Sequence, residues 1–229
     1  MSTLTPSRSF LALSIGQKVL TALTGLFLVT FLVEHLVGNL YLFAGDGGKA
    51  FNEYTYFMTH STFIAVVEPV LFGAFLLHIV LTLRLNALSR AARKTRYAVQ
   101  AAAKSVPFAS RFMVHTGLIF LVWLIVHLST FFYSRITTEV EELLPGNATP
   151  FDEVVHKFGN VWFVAFYVVA MLVMSTHLSH GVYSACQTLG LTVNKGIDRG
   201  VRTFSLAFAV VISLGFAAIP VAVYFLHHA

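Results

Sequence analysis

The chain has few charged residues and almost no cysteine. Of its 229 residues only 11% are charged and 57% are apolar, whereas a soluble domain has about 25% charged and about 45–50% apolar residues. This composition argues against a water-soluble enzyme, a disordered chain and a nucleic-acid-binding protein, although the net charge is +5. The single cysteine, Cys186, excludes an intrachain disulfide framework, a cysteine-ligated iron–sulfur cluster and a Cys-x-x-Cys-His haem attachment.

Five apolar runs are long enough to cross a bilayer, which requires about 20 helical residues. They cover Val19–Phe43, Phe63–Leu88, Phe112–Tyr133, Val161–Tyr183 and Phe204–Leu226. The first run is too long for the apolar core of a signal peptide and has no small-residue cleavage site, so we expect it to be retained. The sequence therefore predicts an all-α, polytopic membrane protein, with residues 1–229 forming one domain of five transmembrane helices.

Basic residues are distributed unevenly between the two sides of the predicted bundle. Twelve of the fifteen lysines and arginines fall in the N-terminal segment and in the second and fourth connections. Only Lys49, Arg135 and Lys157 fall on the opposite side. Because cytoplasmic loops collect Lys and Arg, we expect the N-terminus inside and the C-terminus outside.

Ten histidines are unexpected in so apolar a chain. Four of them, His35, His78, His127 and His177, fall well inside the apolar runs. An ionisable residue is costly there and indicates a functional site. The alternative for any one of them is a hydrogen-bonded structural histidine.

The depth of each histidine follows from its offset from the middle of its helix. In the predicted topology His35 and His127 share a depth near the outer side, and His78 and His177 lie on the inner side. At 1.5 Å per residue the two levels are roughly 10–15 Å apart along the membrane normal. Two histidines at one depth on different helices suit the two axial ligands of a haem iron. The pattern therefore predicts two stacked b haems enclosed by the bundle, with His180 as an alternative to His177 because positions i and i+3 share a helix face.

Two glycines repeat the same spacing on the outward-running helices. Gly25 precedes His35 by ten residues, and Gly117 precedes His127 by ten. Each glycine therefore lies about 15 Å inward of its histidine, near the depth of the inner haem. Glycine allows a porphyrin to approach the helix backbone closely, and ordinary small-residue packing between membrane helices is the alternative.

Several polar residues are candidates for supporting roles. Glu68, near the outer end of the second helix, is the preferred candidate for a proton relay on the quinone side of a redox site. Glu34, beside His35, is a second candidate, and either acid is alternatively structural. Three residues at the inner helix ends are candidates for contacts with the haem propionates, with interfacial snorkelling as the alternative for the two bases: Lys18, Arg111 and Gln187.

Five segments stand in order along nearly the whole chain. They are Glu34–Leu40, Gly48–Asn52, Glu68–His78, Thr116-Gly117 followed by His127-Leu128, and His177–Gly181. Together they resemble the single-subunit di-haem cytochrome b anchor of succinate dehydrogenases and fumarate reductases, in the five-helix form that works with menaquinone. The resemblance implies that His35 and His127 hold the outer, distal haem.

The same resemblance implies that His78 and His177 hold the inner, proximal haem, next to a cytoplasmic iron–sulfur subunit. His177 stands four residues before Gly181, as the family's ligand stands before its glycine, and this supports His177 over His180. Some fumarate-reducing members have a glutamate two residues before this ligand, where the chain has Ser175. The departure favours a succinate dehydrogenase over a fumarate reductase.

The resemblance implies a respiratory electron-transfer function in the bacterial cytoplasmic membrane. A flavoprotein subunit oxidises succinate, an iron–sulfur subunit passes the electrons to the inner haem, and the outer haem reduces menaquinone or another quinone. The alternatives are a fumarate reductase running from menaquinol to fumarate and a di-haem cytochrome b of another membrane dehydrogenase, such as a hydrogenase or a formate dehydrogenase. A haem-free transporter or proton channel that uses the histidines as a relay is an alternative of a different class.

Overall fold

The computed structural model describes residues 13–91, 108–132 and 149–228, with side chains from residue 112 onward in the second range. Within these ranges the chain is almost entirely helical and has no strand. Seven α-helices are described: α1 Ser14–Leu40, α2 Lys49–His60, α3 Thr62–Ala91, α4 Phe108–His127, α5 Pro150–Phe158, α6 Val161–Thr188 and α7 Lys195–His228. A 3₁₀ turn, Tyr41–Phe43, extends α1, and a π-helical turn, Leu128–Phe132, extends α4.

Five of these helices, α1, α3, α4, α6 and α7, are long and apolar enough to cross a membrane. They confirm the number and order of the predicted apolar runs, and they indicate a multi-pass membrane protein. Many of their large apolar side chains are exposed on the bundle surface. In water such a surface would be an aggregation hazard, whereas in a bilayer it faces acyl chains.

The predicted boundaries were too short at one end of the bundle. Helix α6 continues to Thr188, beyond the predicted Tyr183, and α7 begins at Lys195 rather than at Phe204. Asn194 explains the early start of α7, because its Oδ1 accepts hydrogen bonds from the backbone N–H groups of Gly196 and Ile197 at 3.0 and 2.9 Å. Side-chain caps of this kind start a helix in a polar segment, which hydropathy alone assigns to a loop.

Two short helices, α2 and α5, were not predicted. Helix α5 begins with a capping box formed by Thr149 and Asp152. It buries Phe158, which is only 5% exposed, in a core cluster with residues of α6 and α7. Helix α2 contacts α5 through the Asn52 Oδ1, which accepts a hydrogen bond from the Phe151 backbone N–H at 3.0 Å. The two helices therefore pack together over one end of the long-helix bundle.

Helix α6 lies at the centre of the bundle and packs against α1, α4 and α7. Its buried residues recur every three or four positions and so form one helical face; they are Val164, Tyr167, Ala170, Met171, Met174, Leu178, Val182 and Ala185. Helix α3, in contrast, contacts mainly α1 and has one buried apolar residue, Leu81. The fold thus joins the hairpin of α1 and α3 to the pair α4 and α6 through α1–α6 contacts.

Candidate haem-binding site

The structure brings His35 of α1 and His127 of α4 together, and we name these two residues the outer pair. Their ring centroids are 5.8 Å apart, with the ring planes at 83°. A metal–imidazole bond is about 2.0–2.1 Å long, so two imidazoles on opposite sides of one iron have ring centres about 6 Å apart. The spacing fits bis-imidazole ligation, and it also lies in the range of edge-to-face packing, about 4.5–7 Å. The ring spacing fits both arrangements, and the surroundings of the histidines help to distinguish them.

Aromatic side chains surround the outer pair. His127 stacks on Trp123, with ring centroids 4.9 Å apart, and its Nδ1 lies 3.3 Å from the Tyr167 hydroxyl. His35 stacks on Phe31 at 5.2 Å. Each stacking partner stands one helical turn before its histidine, where side chains share a face. This aromatic residue before each outer histidine is a sequence signal that the hydropathy-based prediction missed.

His78 of α3 packs its imidazole against α1. The Nδ1 of His78 lies 3.2 Å from the Thr21 carbonyl oxygen and 3.3 Å from the Thr24 Oγ1. A Cβ added to Gly25 would lie 3.1 Å from the His78 Cε1. The ring therefore reaches the α1 backbone because position 25 has no side chain.

His177 of α6 packs against α4 in the same way. Its Nδ1 lies 3.4 Å from the Thr116 Oγ1. A Cβ added to Gly117 would lie 3.1 Å from the His177 Cε1. We name His78 and His177, which make matched contacts with α1 and α4, the inner pair.

The two helix pairs repeat one arrangement. The same sequence offset separates Thr24 from Thr116 and Gly25 from Gly117. It also separates His35 from His127. From their spacing to the outer histidines, the two glycines are predicted to lie at the inner level, beside a porphyrin. The structure places an inner imidazole directly against each glycine, and it adds the threonine that precedes each glycine, which the sequence argument did not identify as part of the site.

The contacts of His177 help to decide whether His177 or His180 is the inner ligand. His177 is the residue that meets Thr116 and Gly117, while His180 lies one turn further along α6. Position 181 faces α4 as well, since a Cβ added to Gly181 would lie 3.6 Å from the Met113 side chain. The pairing with His78 through matched contacts therefore favours His177.

A tyrosine of the short helix α2 contacts Glu34. The Tyr54 hydroxyl of α2 donates a hydrogen bond to the Glu34 carboxylate, and the Tyr54 ring stacks on Tyr41 at 5.1 Å. Gly38 makes room for this ring, because a Cβ there would lie 2.6 Å from it. Burial, with the adjacent Glu34, raises the pKa of Tyr54 above its usual value near 10. Glu34 therefore sits beside a neutral hydrogen-bond donor.

The remaining predicted polar residues are on four different helices of the bundle. Glu68 is half-buried in the second turn of α3, next to Pro69. Lys18 is exposed on the first turns of α1, and the side chain of Arg111 lies outside the described residues. Gln187 is exposed and donates a hydrogen bond to the Tyr183 hydroxyl at 2.8 Å. Contact between these residues and a propionate stays a prediction.

The donor set suits a macrocyclic cofactor better than a bare ion. In the part of the chain that the structure describes, no group of three or more His, Cys, Asp or Glu is arranged to hold a metal ion. Haem needs only two axial protein ligands because the porphyrin supplies the other four.

The comparisons with known proteins do not identify the family, since no family model, curated protein or solved structure matches the chain.

Proposed function

We propose that the chain is the di-haem cytochrome b membrane anchor of a succinate dehydrogenase. It passes electrons from an iron–sulfur subunit through two b haems to menaquinone. The observation that carries the proposal is the ring contact between His35 and His127, together with the equivalent threonine contacts of His78 and His177 in the two halves of the chain. Structural histidines that merely satisfy local hydrogen bonds do not require such a repeat.

The proposed roles follow from these contacts. When bound, each haem supplies a reversible one-electron iron couple. His35 and His127 hold the iron at the outer level, where Phe31 and Trp123 exclude water from the rings. His78 and His177 hold the iron at the inner level, with each Nδ1 directed to a neighbouring helix and each Nε2 left to bind the metal. An apolar environment of this kind controls solvent access to the iron and thereby its potential.

The partner subunits supply the chemistry that the chain lacks. The sequence contains no flavin fingerprint and no cluster ligands, so succinate oxidation takes place on a flavoprotein and an iron–sulfur protein docked on the cytoplasmic side. Quinone is reduced near the outer haem, and Glu68, near the predicted outer end of α3, relays protons to it. The proposed location is the bacterial cytoplasmic membrane, with the N-terminus inside.

Haem content is the direct test of the proposal. We expect the purified complex to contain two b haems for each chain in a pyridine haemochrome assay, and a b-type α-band in the reduced-minus-oxidised spectrum. Alanine at His35, His78, His127 or His177 should each remove one of the two haems. His60→Ala is the control, because His60 is exposed at the end of α2. A haem-free chain, or two haems retained in all four variants, would contradict the proposal.

Co-purifying subunits distinguish a succinate dehydrogenase from other dehydrogenases. A flavin-containing partner that oxidises succinate supports the proposal, and a nickel or molybdenum partner contradicts this assignment while leaving the two haems in place.

Sealed vesicles test the direction of charge movement. If protons for the quinone enter from outside and electrons from inside, the membrane potential assists by about 2.3 kcal/mol per charge per 100 mV. Collapsing the potential with an uncoupler should then slow succinate-driven reduction of menaquinone.

A further inference from the structure

Each inner imidazole lies against a threonine hydroxyl that donates its proton to a backbone carbonyl of its own helix. The Thr24 hydroxyl donates to the carbonyl oxygens of Leu20 and Thr21, at 2.9 and 3.1 Å. The Thr116 hydroxyl donates to the Met113 carbonyl oxygen at 2.9 Å. A hydroxyl has one proton and two lone pairs, so each oxygen presents a lone pair to the facing imidazole. Each threonine therefore acts as an acceptor toward its histidine.

This arrangement fixes the tautomer of the inner pair. The Nδ1 of His78 faces two acceptors, the Thr21 carbonyl and the Thr24 hydroxyl. A neutral imidazole carries its proton on one nitrogen and a lone pair on the other. Since two acceptors surround Nδ1, Nδ1 carries the proton and Nε2 carries the lone pair. The Nδ1 of His177 likewise faces an acceptor, the Thr116 hydroxyl, at 3.4 Å.

We propose that Thr24 and Thr116 are positioning residues for the inner haem: they fix the Nδ1–H tautomer and the ring orientation of His78 and His177, so that Nε2 binds the iron. This inference rests on the proposed di-haem function and assigns a role to two residues outside the ligand set. A hydrogen bond from Nδ1–H to an acceptor makes the ligand more basic. A more basic ligand favours the ferric state, so the two threonines lower the reduction potential of the inner haem.

The test is a redox titration of the complex that carries Thr24→Val or Thr116→Val. Valine keeps the shape of threonine and removes the acceptor. We expect each substitution to shift the reduction equilibrium of one haem toward the reduced state, by about threefold to tenfold in the equilibrium constant. A tenfold change corresponds to about 59 mV for one electron. Thr24→Ser and Thr116→Ser keep the hydroxyl and should restore the wild-type potential.

Two further threonines provide matched controls. The Thr30 hydroxyl on α1 donates to Phe27 at 2.7 Å, and the Thr130 hydroxyl after α4 donates to Val126 at 2.8 Å. Neither bond involves a histidine. Thr30→Val and Thr130→Val should therefore leave both haem potentials unchanged.

The identity of the shifted haem gives the strongest discrimination. Thr24 and Thr116 belong to different halves of the chain, yet both substitutions must move the same component of the titration, because His78 and His177 ligate one haem. The double variant should shift that component further and leave the other in place. Shifts in two different haems, or a shift that serine does not restore, would overturn the inference.

Haem loss in a variant is also decisive. Loss with valine but not with serine supports the inference, since only the hydroxyl differs in function. Loss with both valine and serine contradicts it. Two haems with unmoved potentials in the valine variants overturn the threonine role alone, whereas a wild-type complex without haem overturns the proposed function.

Discussion

The outer and inner pairs place their imidazoles in different surroundings within one bundle. The outer rings stack on Phe31 and Trp123 and touch each other edge to face. The inner rings lie against glycine backbones, and each directs Nδ1 to a threonine hydroxyl of the neighbouring helix. The outer pair is thus held mainly by aromatic packing and the inner pair by hydrogen bonds.

In the proposed redox function, these surroundings tune the two haems differently. Hydrogen bonds from Nδ1–H to strong acceptors raise ligand basicity, and contact with apolar rings does not. Among the described residues, one hydroxyl faces the outer pair, that of Tyr167, which lies 3.3 Å from the His127 Nδ1. We therefore expect the two haems to titrate at different potentials and to respond to different substitutions.

The largest expected effect separates His177 from its neighbour. His177→Ala removes the residue that meets Thr116 and Gly117, and the inner haem should be lost, so that one haem remains for each chain. His180→Ala should retain both haems. The pyridine haemochrome assay measures the count. If His180→Ala loses a haem and His177→Ala does not, the inner pair is assigned to the wrong residue.

A smaller effect is expected from alanine at the two glycines. The added Cβ would lie 3.1 Å from the imidazole in Gly25→Ala and in Gly117→Ala, so each ring must move away from its helix. Because loss of the groups that orient a metal ligand reduces metal affinity by about 10–100-fold, inner-haem occupancy should fall and the outer haem should stay. Gly73→Ala on α3 is the control, as it faces open space. Preferential loss of the outer haem would contradict the placement of these glycines.

A weaker effect is expected at the outer pair from Tyr167→Phe. The substitution leaves the ring in the core, where Tyr167 is 5% exposed, and removes the only hydroxyl facing His127 Nδ1 that is described here. A hydrogen bond of this kind contributes about 1 kcal/mol, which corresponds to about fivefold in an equilibrium constant. The redox titration should show the shift in the outer haem alone. Tyr183→Phe on the same helix provides the control, and equal shifts of both haems would argue against the separation of the two pairs.

The smallest effect is expected from Tyr54→Phe. Burial raises the pKa of Tyr54, so the neutral hydroxyl is favoured in the folded protein. Its contribution to stability is fully present below about pH 10, the ordinary value, and is lost as the pH rises through the raised pKa. An ultraviolet titration of wild type minus Tyr54→Phe should give a midpoint above 10. A midpoint at or below 10 would show that Tyr54 is not buried against Glu34.

The sequence predicted the long helices better than their ends. Hydropathy and run length gave five spans in the right order, because the cost of exposing apolar segments to water is a local property. The ends were missed where polar capping extended or created a helix, as at Asn194 for α7 and at Thr149 for α5. The π-helical turn after His127 was likewise invisible to a hydropathy pattern.

The sequence likewise predicted only part of the candidate site. The helix offsets predict that His35 shares a depth with His127 and His78 with His177. The structure brings the outer residues into ring contact, and the pairing of the inner residues stays a prediction supported by their matched threonine contacts. The threonines were missed because a Thr in an apolar helix usually bonds to its own helix backbone. Thr24 and Thr116 do so as well, and only their position opposite an imidazole distinguishes them from Thr30.

The sequence by itself indicated the five membrane-spanning helices and predicted the relative depth of the histidines, since both follow from composition and from a fixed rise per residue. Tertiary structure decided which side chains meet, because that depends on the rotation of each helix about its axis and on the choice of neighbour. The contacts of His78 with α1 and of His177 with α4 are of this second kind. Glycine at positions 25 and 117 allows them, but only the packing of the helices brings the imidazoles there.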